Sequence, residues 1–131
     1  INYEGGMLNG SFNGYGKKYD RKGTLRYAGY YLDGQKEGKK NCKEYNQEGK
    51  LEYQGGFEKG YYHNYGILYN SSQNIVYKGV FNNGKYGDGF GELYYESNYQ
   101  TGFNSNSICY NGIFKDGYAN GLGKLYWRTG K

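Results

Sequence analysis

The chain has 131 residues, no proline, 25 glycines, 20 tyrosines and a net charge of +5. Leu, Ile, Val and Phe number 8, 5, 2 and 6, about 16% of the chain, which is below the roughly 20% expected of a folded domain and too little to fill a thick two-layer core. No run of about 18 apolar residues is present to form a membrane span, and the two cysteines, Cys42 and Cys109, make neither a disulfide framework nor a zinc spacing, as expected of a reduced cytosolic setting.

In chain order, the first element is an alternating strand, Ile1-Asn2-Tyr3-Glu4-Gly5-Gly6-Met7. Asn9-Gly10 follows, a dipeptide that tolerates positive φ and suits a tight hairpin turn. A second strand reads Gly14-Tyr15-Gly16-Lys17-Lys18-Tyr19, and the turn Asp20-Arg21-Lys22-Gly23 closes the unit. The same unit restarts at Leu25, Leu51, Ile75 and Ile108, with anchor tyrosines Tyr3, Tyr27, Tyr53, Tyr77 and Tyr110. The anchors are 24, 26, 24 and 33 residues apart. Two residues after each comes Gly; four after comes an aromatic, or Met7 in the first copy; seven after comes Gly again. Leu51, Tyr53, Gly55 and Phe57 share one face of their strand by alternation.

Hairpin turns recur at Asp33-Gly34, Lys59-Gly60, Asn83-Gly84 and Asp116-Gly117, with Lys59 the least suited residue. The predicted fold class is all-β: an elongated single-layer antiparallel meander of stacked β-hairpins, about ten strands, with no helical period. Residues 1–131 form a single array with repeats at approximately 1–24, 25–50, 51–74, 75–107 and 108–131, the fourth carrying an inserted loop at 96–107. The second copy breaks the pattern after Gly38 with Lys39-Lys40-Asn41-Cys42, where a bulge is predicted. Glycines weaken strands, so their fixed offsets call for a reason. The expectation is a trough of missing side chains in which rings lie flat, tested by placing Val at Gly55 and Gly79.

The frame Y-x-G-x-aromatic-x-x-G-x-x-x-G-x-G resembles the MORN (membrane occupation and recognition nexus) repeat, in five copies covering nearly the whole chain. The third copy has Asn64 for one Gly, the second lacks a strand Gly, and the fourth has one residue inserted. The resemblance implies an elongated, twisted sheet and a non-catalytic scaffold in ciliary (radial spoke, axoneme), basal-body or cytoskeletal assemblies. It also implies an alternative: an acidic phospholipid or phosphoinositide-binding, membrane-tethering module, accessory to a larger enzyme.

The residues themselves offer no catalytic constellation. His63 is the one histidine, and the carboxylates are scattered among lysines as solvated faces. Gly87-Asp88-Gly89-Phe90-Gly91 lacks the Lys-Ser/Thr of a phosphate loop. No cofactor and no metal is expected. The partner-binding expectation falls on the ring row Tyr27, Tyr31, Tyr53, Phe57, Tyr77, Phe81, Tyr110 and Phe114, presented to a partner protein or an extended peptide. Residues 1–50 hold ten Lys/Arg against six Asp/Glu. Lys17, Lys18, Lys36, Lys39, Lys40 and Lys43 are therefore read as one anionic-lipid patch; nucleic acid is the less favoured anion. Open sheet edges predict self-association. Abundant Asn, Lys and Tyr without Pro fit AT-rich codons, and with the resemblance this points to the cytoplasm, at a cilium or the cytoskeleton rather than the membrane periphery.

Overall fold

The computed structural model describes residues 2–94 and 108–125. The inserted loop expected at 96–107 lies outside the described residues. The elements are β1 (Tyr3–Leu8), β2 (Ser11–Tyr19), β3 (Leu25–Leu32), β4 (Gln35–Lys36), β5 (Gly38–Tyr45), β6 (Leu51–Glu58), β7 (Tyr61–Tyr69), β8 (Ile75–Asn82), β9 (Lys85–Tyr94), β10 (Ile108–Lys115) and β11 (Tyr118–Leu125). The described chain is all-β. Ten strands run in the order β1-β2-β3-β5-β6-β7-β8-β9-β10-β11 through one open antiparallel sheet, and the two-residue β4 pairs with β3 off that path.

Local chemistry sets the meander. At the hairpin tips Asn9, Asp33, Lys59, Asn83 and Asp116 have φ of 50–54°, and each is followed by Gly at 82–88°. Two successive positive φ values define the turn whose twist matches that of the flanking strands. Each of the three described inter-hairpin turns is held by one side chain. Asp20 Oδ1 accepts from the Lys22 and Thr24 N–H groups, Asn46 Oδ1 from Glu48 and Lys50, and Asn70 Oδ1 from Ser72 and Asn74. Gln73 takes the position of Gly23 and Gly49, at φ 67°. Two residues thus occupy a conformation that suits Asn or Gly better. Lys59→Asn and Gln73→Gly are each expected to stabilise the fold by about 0.5–1 kcal/mol, read as a higher denaturant midpoint with unchanged m-value.

Successive hairpins are stitched together at their tips. The turn N–H of Gly34, Gly60 and Gly84 donates to the carbonyl of Phe12, Lys36 and Tyr62 in the preceding hairpin, at 2.9, 3.0 and 2.9 Å. The residue before each glycine in later copies finds a side-chain acceptor there too. Lys59 N–H donates to Glu37 Oε1 at 3.0 Å, Asn83 N–H to His63 Nδ1 at 3.4 Å, and Asp116 N–H to Asp88 Oδ1 at 3.0 Å. His63 therefore holds the tip of the following hairpin.

A bulge lies in the second strand of each hairpin. Gly55 pairs with Gly66 and Phe57 with Tyr62, so Gly56 stands opposite three residues. The first hairpin repeats this at Gly6 and the last at Ile113, and the fourth sets one more residue against Val80. The first residue of the G-x-G slot turns through positive φ: Gly14 at 82°, Asn64 at 65° and Gly89 at 138°. Asn64 replaces Gly there because Asn tolerates the left-handed region. In the second copy β5 shifts register between Gly38 and Cys42, at the predicted bulge. Its ladder with β3 consists of only Tyr27↔Glu44 and Ala28↔Lys43.

Candidate functional site

The two faces of the sheet do different work. On the inner face one cross-strand row reads Tyr3, Lys18, Tyr27, Glu44, Tyr53, Leu68, Tyr77, Leu93, Tyr110. Each anchor tyrosine lies over the glycines beside it. A Cβ on Gly66 would sit 2.6 Å from Tyr53 Cε1 and Cζ, and one on Gly91 would sit 2.5 Å from Tyr77 Oη. The expected trough exists, and the anchor rings fill it. Each anchor hydroxyl then donates to the carbonyl three residues on: Tyr3 to Gly6, Tyr27 to Tyr30, Tyr53 to Gly56, Tyr77 to Val80 and Tyr110 to Ile113, at 2.8–3.0 Å. In every copy but the second, that carbonyl belongs to the residue standing opposite the bulge.

Rings two residues after the turn glycine complete the packing. Phe12 stacks on Tyr3 at 3.8 Å between centroids, Tyr62 on Tyr53 at 3.8 Å and Tyr86 on Tyr77 at 3.9 Å. Edge contacts join one copy to the next: Tyr3–Tyr31, Tyr27–Phe57, Tyr53–Phe81 and Tyr77–Phe114, at 5.2–5.5 Å. The eight rings expected to face a partner, Tyr27, Tyr31, Tyr53, Phe57, Tyr77, Phe81, Tyr110 and Phe114, are this core, each at most 8% exposed. The expectation of a ring-lined binding row is corrected accordingly: burial against glycine and neighbouring rings gives these side chains to stability and leaves them little surface to present.

Burial also sets their acidity. It pushes Tyr31 up to about 12, with neighbouring Tyr3 and Glu44 adding to the effect, and Tyr77 up to about 12, with Tyr86 adding. Burial likewise raises Tyr27, Tyr53 and Tyr62. An unfolded phenol titrates near 10. The neutral phenols therefore favour the fold in full below pH 10, and that contribution disappears as pH rises through about 12. Cooperative alkaline unfolding in this window is expected, with tyrosinate absorbance and loss of β-sheet circular dichroism moving together.

The second copy substitutes charge for rings. Lys36 stands where Phe12, Tyr62 and Tyr86 stand elsewhere, with its Nζ 5.0 Å from the Tyr27 ring centre and 5.7 Å from that of Phe57. The same Nζ donates to Glu44 Oε2 at 2.7 Å, and the Tyr62 hydroxyl donates to Glu44 Oε1 at 2.6 Å. Glu44 takes the place of Leu68 and Leu93. Glu44→Leu alone is expected to cost about 1–3 kcal/mol, since it strips partners from Lys36 and Tyr62. Adding Lys36→Tyr restores the ring–Leu pairing of later copies, and a double-mutant cycle should recover most of the loss.

The six-lysine patch is likewise corrected. Adjacent strand residues point to opposite faces, so Lys18 leaves Lys17 for the inner face. There it reaches Asn2 Oδ1 and lies 5.9 Å from the Phe12 ring centre. Lys36 is held by Glu44. Lys17, Lys39, Lys40 and Lys43 remain on the outer face.

That face has its own order. One row reads Glu4, Lys17, Ala28, Lys43, Gln54, Ile67, Lys78, Glu92, Asn111. Beside it run apolar cross-strand pairs, Tyr15↔Tyr30, Tyr65↔Val80 and Phe90↔Ile113, with Val80 half-buried. Tyr15, Tyr30, Tyr65, Phe90 and Ile113 are 40–58% exposed. The middle residue of the second-strand G-x-G slot carries this signal, legible at Tyr15 and Phe90 between two glycines and at Tyr65 between Asn64 and Gly66. Two depressions open on the same face. One, of about 410 Å³, is lined by Tyr15, Lys17, Ala28, Asn41, Lys43 and Gln54, among others. The other, of about 640 Å³, is lined by Lys39, Lys40, Asn41, Gln54, Asn64 and Tyr65, among others.

Among the described residues no group of three or more His, Cys, Asp or Glu side chains is placed to hold a metal ion. Cys42 is buried and free, and Cys109 is half-buried and free. No helix among the described residues is long and apolar enough to cross a membrane. No known family model matches the chain, and no curated protein is significantly similar to it.

Proposed function

We propose that this chain is a non-catalytic protein-interaction module, a MORN-type hairpin array that serves as a scaffold in a ciliary or cytoskeletal assembly. The five in-phase copies of the Y-x-G-x frame support the family assignment. The carrying observation for the function is the outer face: the pairs Tyr15↔Tyr30 and Phe90↔Ile113, and Tyr65 between them, stand exposed on a sheet whose core needs are met on the other side. Exposed apolar surface ordered in this way marks an interaction site, and a sheet whose hairpins are stitched tip to tip meets a partner with little reordering.

The test is proximity labelling in the native cell, with the wild-type chain and a Tyr65→Ser/Phe90→Ser/Ile113→Ser variant. Surface changes of this kind shift stability by about 0.5 kcal/mol or less, so both proteins should melt alike. The variant should lose the labelled partners; a variant that keeps all of them overturns the reading.

A further inference from the structure

Four lysines converge around β5 on the outer face. Lys17 and Lys43 flank Ala28 in one cross-strand row, two strand spacings or about 10 Å apart along the sheet. Lys39 and Lys40 are sequence neighbours, yet both line the larger depression. The bulge between Gly38 and Cys42 makes this arrangement available, since a bulge re-aims side chains that a regular strand would send to opposite faces. The ladder registers of β5 skip residues 39–41 on both sides. Asn41, at φ 63°, lies on the rim shared by both depressions, together with Gln54.

None of the four lysines makes an ion pair among the described residues. Lys36, on the other face of the same copy, has Glu44. The outer cluster is thus a site of lysines without salt bridges, with Glu4 opposite Lys17 at its edge, bordering hollows and flanked by Tyr15, Tyr30 and Tyr65, which are 48–53% exposed.

We propose that this surface docks an extended acidic peptide segment of a partner protein. The inference rests on the interaction-module reading and names the chemistry of the partner. The complementarity is specific in form. An extended segment presents same-side residues about 6.8 Å apart, within reach of lysines at the spacing found here, and the flanking rings cover its backbone and apolar side chains. Lys39, Lys40 and Lys43 are exposed at the rims of hollows, which an extended segment can enter and a flat bilayer cannot.

The experiment is fluorescence anisotropy with the full chain and a labelled twelve-residue peptide alternating Glu and Thr, beside its Gln–Thr counterpart. The Glu peptide should bind at low salt and weaken as salt approaches physiological strength, because exposed charge pairs are screened. Lys17→Gln/Lys39→Gln/Lys40→Gln/Lys43→Gln should bind about tenfold or more weakly. Lys85→Gln/Lys115→Gln, which changes exposed lysines elsewhere, should bind as the wild type does. Equal melting curves establish that all three proteins are folded. Equal binding of the Glu and Gln peptides overturns the proposal, as does undiminished binding by the four-lysine variant. Displacement of the peptide by phosphatidylserine vesicles or by oligothymidylate of equal charge also overturns it, assigning the site to lipid or to single-stranded nucleic acid. The four-lysine variant, run in the labelling experiment above, separates the two readings. If it keeps the partners that the ring variant loses, the acidic-peptide proposal fails and the module stands.

Discussion

Gly55→Val is expected to cost at least about 3 kcal/mol of folding free energy, enough to unfold much of the population of a chain this size. A Cβ at Gly55 would lie 2.5 Å from Gly66 Cα and from the Tyr65 carbonyl oxygen, and 2.7 Å from the Tyr53 hydroxyl. The first two are backbone atoms of the paired strand, so no rotamer change relieves the clash; the strands must part or Tyr53 must leave its trough. Gly79→Val should behave alike, with Gly91 Cα at 2.7 Å and Tyr77 Oη at 2.8 Å. Gly60 supplies the contrast. Nothing lies within 4 Å of a Cβ built there, and its φ is 88°. Gly60→Ala should therefore cost only the left-handed backbone term, about 1–2 kcal/mol. Chemical denaturation of the three variants separates crowding from conformation; a Gly55→Val protein as stable as the wild type would mean the ring-on-glycine packing contributes nothing.

Tyr53→Leu should cost about 3–5 kcal/mol, and Tyr53→Phe about 1–3 kcal/mol of that. Tyr53 is fully buried. It stacks on Tyr62 and meets Phe57 and Phe81 edge-on at 5.3 Å. Its hydroxyl donates to the Gly56 carbonyl at 2.8 Å in a buried bond. Phe keeps every ring contact and removes only the donor, leaving the carbonyl beside the bulge without that partner. Leu removes both and opens a gap over Gly66. Far-UV circular dichroism during urea unfolding measures both steps. A Phe variant equal in stability to the wild type would reassign the anchor's worth entirely to its ring.

The repeat was legible in the sequence because its slots are filled by residues with few substitutes. Gly two residues after the anchor and Asn-Gly or Asp-Gly at most of the tips mark backbone requirements, and these pointed to a meander of stacked hairpins. The division of labour between faces was harder to read. Tyr27 and Tyr65 are the same amino acid on paired hairpins; one is fully buried and the other about half exposed. The distinction lies in what stands opposite: a glycine trough for Tyr27, and the outer surface for Tyr65. Counting rings cannot supply it, although alternation from the anchor can. Alternation alone also separates Lys17 from Lys18. The approach of Lys36 to Glu44 depends on a register set by the β5 bulge, and no short-range pattern carries that. The hydroxyl-to-carbonyl bond repeated in all five copies is likewise absent from a one-letter reading, because it requires knowing where the chain is bulged.

The thin ladder between β3 and β5 has a mechanical meaning. In a single-file meander every seam carries load in series, since each hairpin touches chiefly its neighbours. Tension applied across the sheet concentrates where a ladder is interrupted, here along β3, where two residue pairs to β5 and two to the short β4 replace one continuous ladder. That seam parts first and leaves the remaining hairpins intact on either side. The first opening expected under tension is therefore inside the second hairpin, between β3 and β5, which stay tethered through β4.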